Sequence, residues 1–385
     1  MHNLQQKVRI YNTLSGKKEK FVPVSDQVRI LLCGPTVYDY SHVGHARMLL
    51  CYDLISRYLR SKGIGVSVVV NITDIDPKIF RKSRIAGIPP ADFATTFISE
   101  LLNDLASLRI DNFAFARVSD HVSRAKELIN KLLKEKKAYF DGGNIYLDTS
   151  RIRSLGKLSR MTRDDLKDCR LEISPFKRCA TDIMLWNSSD DFEEVFKDNM
   201  LGDGVPWWHM QDSSVAVSSF AGVYDIHGGA SELVYPHHES HLAQLMAITS
   251  LEMPVRFWTH VALVRIKGRK MSKSHGNVVL LRELLARYTA NVLRLYLFSR
   301  HYREIFEFDE DELDKFVRID NLLLGAMSDS ASGGNQSSDP LGSFFNCIEN
   351  DLDSPGAINV MIKTAQRRGN KSALKVMANV FGLCY

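Results

Sequence analysis

The sequence predicts an α/β fold: a doubly wound parallel sheet, split by an insertion and followed by a helical bundle. Three observations predict it. Two β-branched runs, Val28-Arg29-Ile30-Leu31-Leu32-Cys33 and Val66-Ser67-Val68-Val69-Val70, flank a segment with helical spacing. The same alternation resumes far downstream, at Tyr224. Glycine turns follow the first strand and the strand at Tyr224, where a backbone could approach a ligand closely.

Each element has its own signal. Val28 to Cys33 runs into Gly34-Pro35, as a buried strand feeding a loop would. From Ala46 to Lys62, Leu50, Leu54, Ile55, Tyr58 and Leu59 recur at helical spacing, and Gly63 closes the helix. Val66 to Val70 then leads into Asn71-Ile72-Thr73-Asp74-Ile75-Asp76. Strand, turn, helix and strand make one βαβ unit, for which parallel pairing and a right-handed crossover are expected. Ligands of such sheets sit at the carboxyl ends of the strands, where Cys33 to His45 and Asn71 to Asp76 both fall.

Phe93 to Lys137 reads as helical, and Tyr139 to Gln211 as irregular and mixed. Tyr224 to Gly229 and His260 to Val264 read as strands, and Leu280 to Tyr302 as one helix. Ser328 to Pro340 has the composition of a flexible connector, and Leu341 to Tyr385 reads as two or three helices. The expected domains are a catalytic unit over 1–305 and a helical bundle over 306–385 with its connector at 328–340. Within the first, nucleotide-binding halves at about 24–110 and 212–280 enclose an insertion at about 111–211.

Composition narrows the class. In 385 residues, 45% hydrophobic and 25% charged content fits a folded enzyme with a sizeable core and argues against a disordered or fibrous chain. The excess of 50 Lys+Arg over 45 Asp+Glu permits a polyanionic partner without requiring one. Met1 to Lys20 lacks an apolar core, so no signal peptide is expected, and no apolar run reaches membrane-spanning length. Six cysteines without paired spacing read as reduced thiols. A cytoplasmic monomer with no membrane partner is expected.

The chemistry concentrates in a few segments. His42-Val43-Gly44-His45 can open a helix whose free N–H groups hold phosphate. Lys270-Met271-Ser272-Lys273-Ser274 supplies two cations. Cys33-Gly34-Pro35-Thr36-Val37-Tyr38-Asp39, Asn71 to Asp76, and Asp225 through Glu239 complete the set. In this order the segments resemble cysteinyl-tRNA synthetase, a class I aminoacyl-tRNA synthetase, over roughly residues 8 to 325.

The resemblance implies the family's doubly wound, HUP-type Rossmann-like sheet with a connective insertion, and ATP-dependent activation of L-cysteine followed by transfer to the acceptor end of tRNA. It implies that His42, Gly44, His45, Lys270 and Lys273 meet the triphosphate. His227, Gly228 and Gly229 would lie by the adenosine, and Thr36, Thr73 and Trp208 would line the substrate pocket. Mg²⁺ is implied with ATP. The family also holds Zn²⁺ on two cysteines, a histidine and a glutamate. Here Cys33 and His237 match, Asp212 stands at a cysteine position and His241 at the glutamate position. Cys33, Asp212, His237 and His241 carry two negative charges with neutral imidazoles, where the usual set carries three. His237 and His241 are expected on one helix face, with His238 turned the other way. The chain ends at Tyr385, so the family's anticodon-binding domain is expected to be missing. That leaves an alternative: a paralogous ligase passing activated cysteine, or another amino acid, to a small amine.

Overall fold

The computed structural model describes residues 8–168, 174–188, 195–271, 276–328, 339–367 and 370–385. Lys273, with Ser272 and Ser274, and most of the expected connector at 328–340 lie outside them.

Five strands form the central sheet: β1 (Gln27–Thr36), β2 (Gly65–Thr73), β3 (Ala114–Arg117), β4 (Tyr224–Ala230) and β5 (Val255–Val261). Their order is β5-β4-β1-β2-β3, and every pair is parallel. The chain winds outward from β1 to β3, then returns to the other side of β1 through β4 and β5. The β1/β4 boundary is therefore the switch point, where an open α/β sheet leaves its ligand crevice. Val28, Ile30, Leu32, Val68, Val70 and Ile226 are buried in the main core, as expected of strands covered on both faces.

The insertion holds a second, antiparallel sheet made of Ala138–Asp141, Asn144–Leu147, Ile183–Asn187 and Val205–Pro206. Helix Trp208–Phe220 leads back to β4. After β5, a hairpin pairs Val264–Ile266 with Arg269–Lys270. The stretch expected as one helix from Leu280 to Tyr302 is two, Leu281–Leu285 and Ala290–Leu297, because the Thr289 side chain caps the second through the Val292 N–H (3.3 Å). Helices Leu313–Ser328, Pro340–Glu349, Ser354–Gln366 and Lys371–Phe381 complete the C-terminal bundle. Among the described residues no helix is long and apolar enough to cross a membrane.

A buried ion pair ties this bundle to the nucleotide-binding half. Arg294 and Asp53 are both fully buried and bonded to each other, while the guanidinium also donates to the carbonyls of Leu108 (2.7 Å) and Phe381 (2.6 Å).

Candidate active site

Two remote stretches of sequence meet backbone to backbone at the carboxyl end of β1. The Val43 N–H donates to the Val279 carbonyl (3.1 Å), and the Leu281 N–H donates to the Ser41 carbonyl (2.9 Å). Between them His42 caps helix Val43–Ser61: its Nδ1 accepts from the His45 N–H (3.3 Å), and His45 Nδ1 accepts from the His42 N–H (3.5 Å). The two imidazoles stack with centroids 3.6 Å apart. Gly44 leaves room for this; a Cβ there would sit 3.0 Å from His42 Cε1 and 3.3 Å from Met271 Cε. Arg47, one turn into the same helix, donates to the carbonyls of Ala262 (2.6 Å), His301 (2.8 Å) and Glu304 (3.0 Å). It fixes the segment that leads into the lysine hairpin.

A cleft of about 610 Å³ opens here, lined among others by Cys33, Thr36, His42, Gly44, His45 and Lys270. Lys270 is paired with Glu232, which lines the same cleft. The second lysine of the expected pair, Lys273, lies outside the described residues.

Cys33 stands where β1 loses register against β2. Gly34 must be glycine, since a Cβ would fall 1.9 Å from the Asn71 carbonyl oxygen, and its N–H donates to Asn71 Oδ1 (2.6 Å). This irregularity aims the Cys33 thiol at one end of the cleft. There Cys33 Sγ lies 3.2 Å from His237 Nε2 and 3.9 Å from Asp212 Oδ2, and those two are 2.5 Å apart. Asn71 donates to the other Asp212 oxygen, and His209 Nδ1 is 2.9 Å from His237 Nδ1. A nitrogen of His238 falls within 4.8 Å of both the Cys33 and His237 ligand atoms.

His241 does not join this group, which corrects the expected ligand set. Its Nε2 meets the Tyr224 hydroxyl (2.9 Å) and its Nδ1 the Ser213 hydroxyl (3.0 Å), so both ring nitrogens are occupied. The chain just before His237 is extended at Tyr235 (φ −134°, ψ 137°), and the regular helix carrying His241 begins at Glu239. His238 turns toward Cys33 instead, and its Nε2 has no hydrogen-bond partner among the described residues.

His227, Gly228 and Gly229, expected by the adenosine, lie in β4 just before Ala230, which lines the cleft. His227 is buried against Trp258 (centroids 4.6 Å) and His238 (4.4 Å, edge-on), with Nδ1 on the Tyr224 hydroxyl (2.8 Å). None of the three lines the cleft. The glycines answer to packing: a Cβ on Gly228 would lie 2.2 Å from Tyr52 Cζ, and one on Gly229 2.8 Å from His238 Cε1. Thr73 pairs in register with Thr36 behind the lining. Trp208 is 36% exposed, stacks on Trp207 at 4.9 Å and bonds the Asp76 side chain.

Burial sets the protonation of this end. It lowers His241 to about 4 and His260 to about 3, and drives His209, His227 and His238 well below the usual imidazole range. Burial would lower His237 too, but the Asp212 carboxylate and Cys33 outweigh it and hold His237 well above that range. Burial, and then the Asp212 charge, push the Cys33 thiol up. The neutral His238 is in the protonation state in which imidazole can ligate a metal, whereas His237 must give up its proton to do so. Sequence reasoning missed Asn71 as the orienter of Asp212, His209 behind His237, and Glu232 on Lys270. Asn71 and Glu232 each stood inside a quoted motif.

A parallel sheet with its crevice at the β1/β4 switch, a histidine-capped helix and a lysine hairpin meeting over one cleft define a nucleotide-binding domain of the class I synthetase type. The solved methionyl-tRNA synthetase of Mycobacterium tuberculosis in complex with methionyl-adenylate shares this fold, with TM-score 0.69 at 15% identity over 93% of this chain and 90% of that one. Residues 20–318 match the model of the tRNA synthetases class I (C) catalytic domain, and the chain belongs to that family. The cysteine–tRNA ligase of Thermococcus kodakarensis is 38% identical over 310 residues, 80% of this chain. That of Thermotoga maritima is 36% identical over 370 residues, 93% of this chain. The chain spans 65% of the length of the first and 80% of the second.

Proposed function

We propose that this protein activates L-cysteine with ATP to the aminoacyl-adenylate and transfers the acyl group to tRNA, in the cytoplasm. The observation that carries the reading is a single cleft with His42, His45 and Lys270 along its wall and a Cys33–His237–Asp212 group at one end. The amino acid carboxylate attacks the α-phosphate and pyrophosphate leaves. No protein nucleophile is needed, only alignment and charge stabilisation. His42 and His45 present ring nitrogens and the helix start to the triphosphate, with Mg²⁺ accompanying ATP. Lys270 is held by Glu232 until phosphate competes for it, and Lys273 supplies the second cation from the same loop.

The donors fit a zinc ion. Cys33, Asp212 and His237 lie within 3.9 Å of one another, and the buried Nε2 of His238 lacks a partner among the described residues. Those four would hold it. Zinc binds thiolate directly and hydroxyl poorly, which favours cysteine over serine. Thr36 and Trp208 belong to the same substrate end.

The test is cysteine-dependent ATP–pyrophosphate exchange, followed by acylation of tRNA with labelled cysteine. Absence of exchange with every amino acid refutes activation. Exchange with cysteine but no acyl-tRNA at high enzyme assigns the acceptor to a small amine.

A further inference from the structure

We propose that the rim of the cleft beside β1 and β2 docks the single-stranded end of the RNA acceptor, and that helix Pro77–Ala86 guides its phosphates. This rests on the reading above that tRNA is the acceptor, and it assigns a surface to that acceptor.

The loop leaving β1 carries Tyr38 and Tyr40, both half-buried, and Tyr38 lines the cleft. Cations sit over each ring. Lys78 and Lys82 lie 5.4 and 5.1 Å from the Tyr38 centroid, and the Arg282 guanidinium lies 4.4 Å from that of Tyr40. Helix Pro77–Ala86 contributes Lys78, Arg81, Lys82 and Arg84 and has no acidic residue of its own. The neighbouring acids are engaged: Asp76 accepts the Lys78 N–H (2.7 Å), Asp39 pairs with Lys82 (2.9 Å) and Glu100 with Arg282 (3.4 Å). Lys78 and Arg81 are exposed, and Arg81 lies outside those pairs. Lys78 lines the cleft itself, and Arg81 stands about one helical turn further along.

Aromatic faces interleaved with cations are what a single strand of nucleic acid needs. Bases of any identity stack on the rings, while lysine and arginine track the phosphates. A small amine carries no row of phosphates and would have no use for cations leading away from the cleft. Because Tyr38 and Lys78 share the cleft with His42 and His45, a strand laid along this rim ends beside the activated carboxylate.

The experiment compares the full chain with Arg81→Glu, an exposed substitution remote from the ATP-contacting residues, and with Arg81→Lys. Cysteine-dependent pyrophosphate exchange should be unchanged in both. In Arg81→Glu the KM for tRNA should rise about tenfold, and the slope of log KM against log salt should fall by about 0.7–0.9, the release expected for one phosphate contact. Arg81→Lys should restore both. An unchanged KM and salt slope overturns the docking surface, as does an equal loss of exchange, which would place the charge on ATP. A wild-type chain that fails to exchange defeats the functional reading first. One that exchanges and never acylates RNA defeats the reading of tRNA as acceptor and this inference with it. A wild-type chain that acylates tRNA, with KM and salt slope unchanged in Arg81→Glu, defeats this inference alone.

Discussion

Gly228→Ala separates two explanations of the glycine pair in β4. If Gly228 serves adenosine, the substitution raises the KM for ATP; if it serves the core, it destabilises the fold. The structure favours the core. An added Cβ would lie 2.2 Å from Tyr52 Cζ and 2.4 Å from its hydroxyl oxygen, so the ring must move. Moving it loosens the hydroxyl's bonds to the Thr259 carbonyl (2.8 Å) and the Gly229 N–H (3.0 Å), both buried. Overpacking of this kind costs about 1–3 kcal/mol, and a buried N–H left unpaired about 1–3 more. A total near 3 kcal/mol is expected. With unfolding entropy of about 2.1 cal/mol/K per residue, a chain of this length shifts by roughly 1.2 °C per kcal/mol. Thermal unfolding should therefore move down by about 4 °C, while the KM for ATP in pyrophosphate exchange, measured below the transition, changes less than twofold. In a Tyr52→Leu background the ring is gone and Gly228→Ala should add little further loss. An unchanged midpoint with a tenfold higher KM for ATP would refute the reasoning.

Other predictions follow from the same geometry. Lys273→Ala should slow cysteine activation by about 10²–10³-fold through lost charge stabilisation, with an unchanged melting curve; an unchanged exchange rate removes Lys273 from the chemistry. Asp53→Ala strands the fully buried Arg294 guanidinium and should cost about 3–5 kcal/mol in denaturant unfolding, against well under 1 kcal/mol if the pair contributes nothing. Purified His238→Ala and Cys33→Ser should lose zinc by metal analysis while His241→Ala keeps it; the reverse for the two histidines restores His241 as ligand. Acid should destabilise the metal-free protein steeply. His260 and His241 are held at about 3 and about 4, so below pH 6.5 the unfolded chain binds protons the folded one refuses. Each then removes about 1.4 kcal/mol per pH unit down to its folded value. His237, raised instead, loses its contribution only above pH 6.5 and does not offset this slope. A flat stability profile from pH 6.5 to 4.5 would contradict the buried neutral histidines.

What the sequence made legible follows from where local pattern decides structure. The runs at Val28 and Val66 are buried on both faces, so their apolar character named β1 and β2 directly. Strand β3 has four residues, Ala114–Arg117, between two amphipathic helices, and its identity comes from pairing with β2 rather than from its own pattern. The insertion sheet was hidden likewise, since Ile183–Trp186 is an apolar run without alternation, closed by a buried Asn187. The Thr289 cap was readable and overlooked beneath the leucine spacing on either side. In the site, Cys33, His42 and Lys270 were legible because backbone signals mark their loops. The i, i+4 argument for His237 and His241 took no account of the Ser213 and Tyr224 hydroxyls, which meet the two ring nitrogens of His241.

Those two hydroxyl contacts change what the two departures from the family mean. Taken singly, Asp212 in place of a cysteine and His241 in place of a glutamate look like two losses from one metal site. In the structure they act on different partners. Asp212 brings a carboxylate to within 2.5 Å of His237 and is oriented by Asn71, so one carboxylate remains beside the imidazole although its sequence position has moved. His241 fills the core between Ser213 and Tyr224, where a carboxylate would meet the same burial that lowers its own imidazole to about 4. The two positions remain coupled by charge, since Asp212 and His237 both act on the His241 imidazole. Reverting Asp212→Cys alone leaves His237 without its counter-charge, and reverting His241→Glu alone buries an acid with no cation shown against it. Each single reversion should reduce zinc content and stability more than the double reversion does. Additive losses in metal analysis and thermal unfolding would show the two positions to be independent.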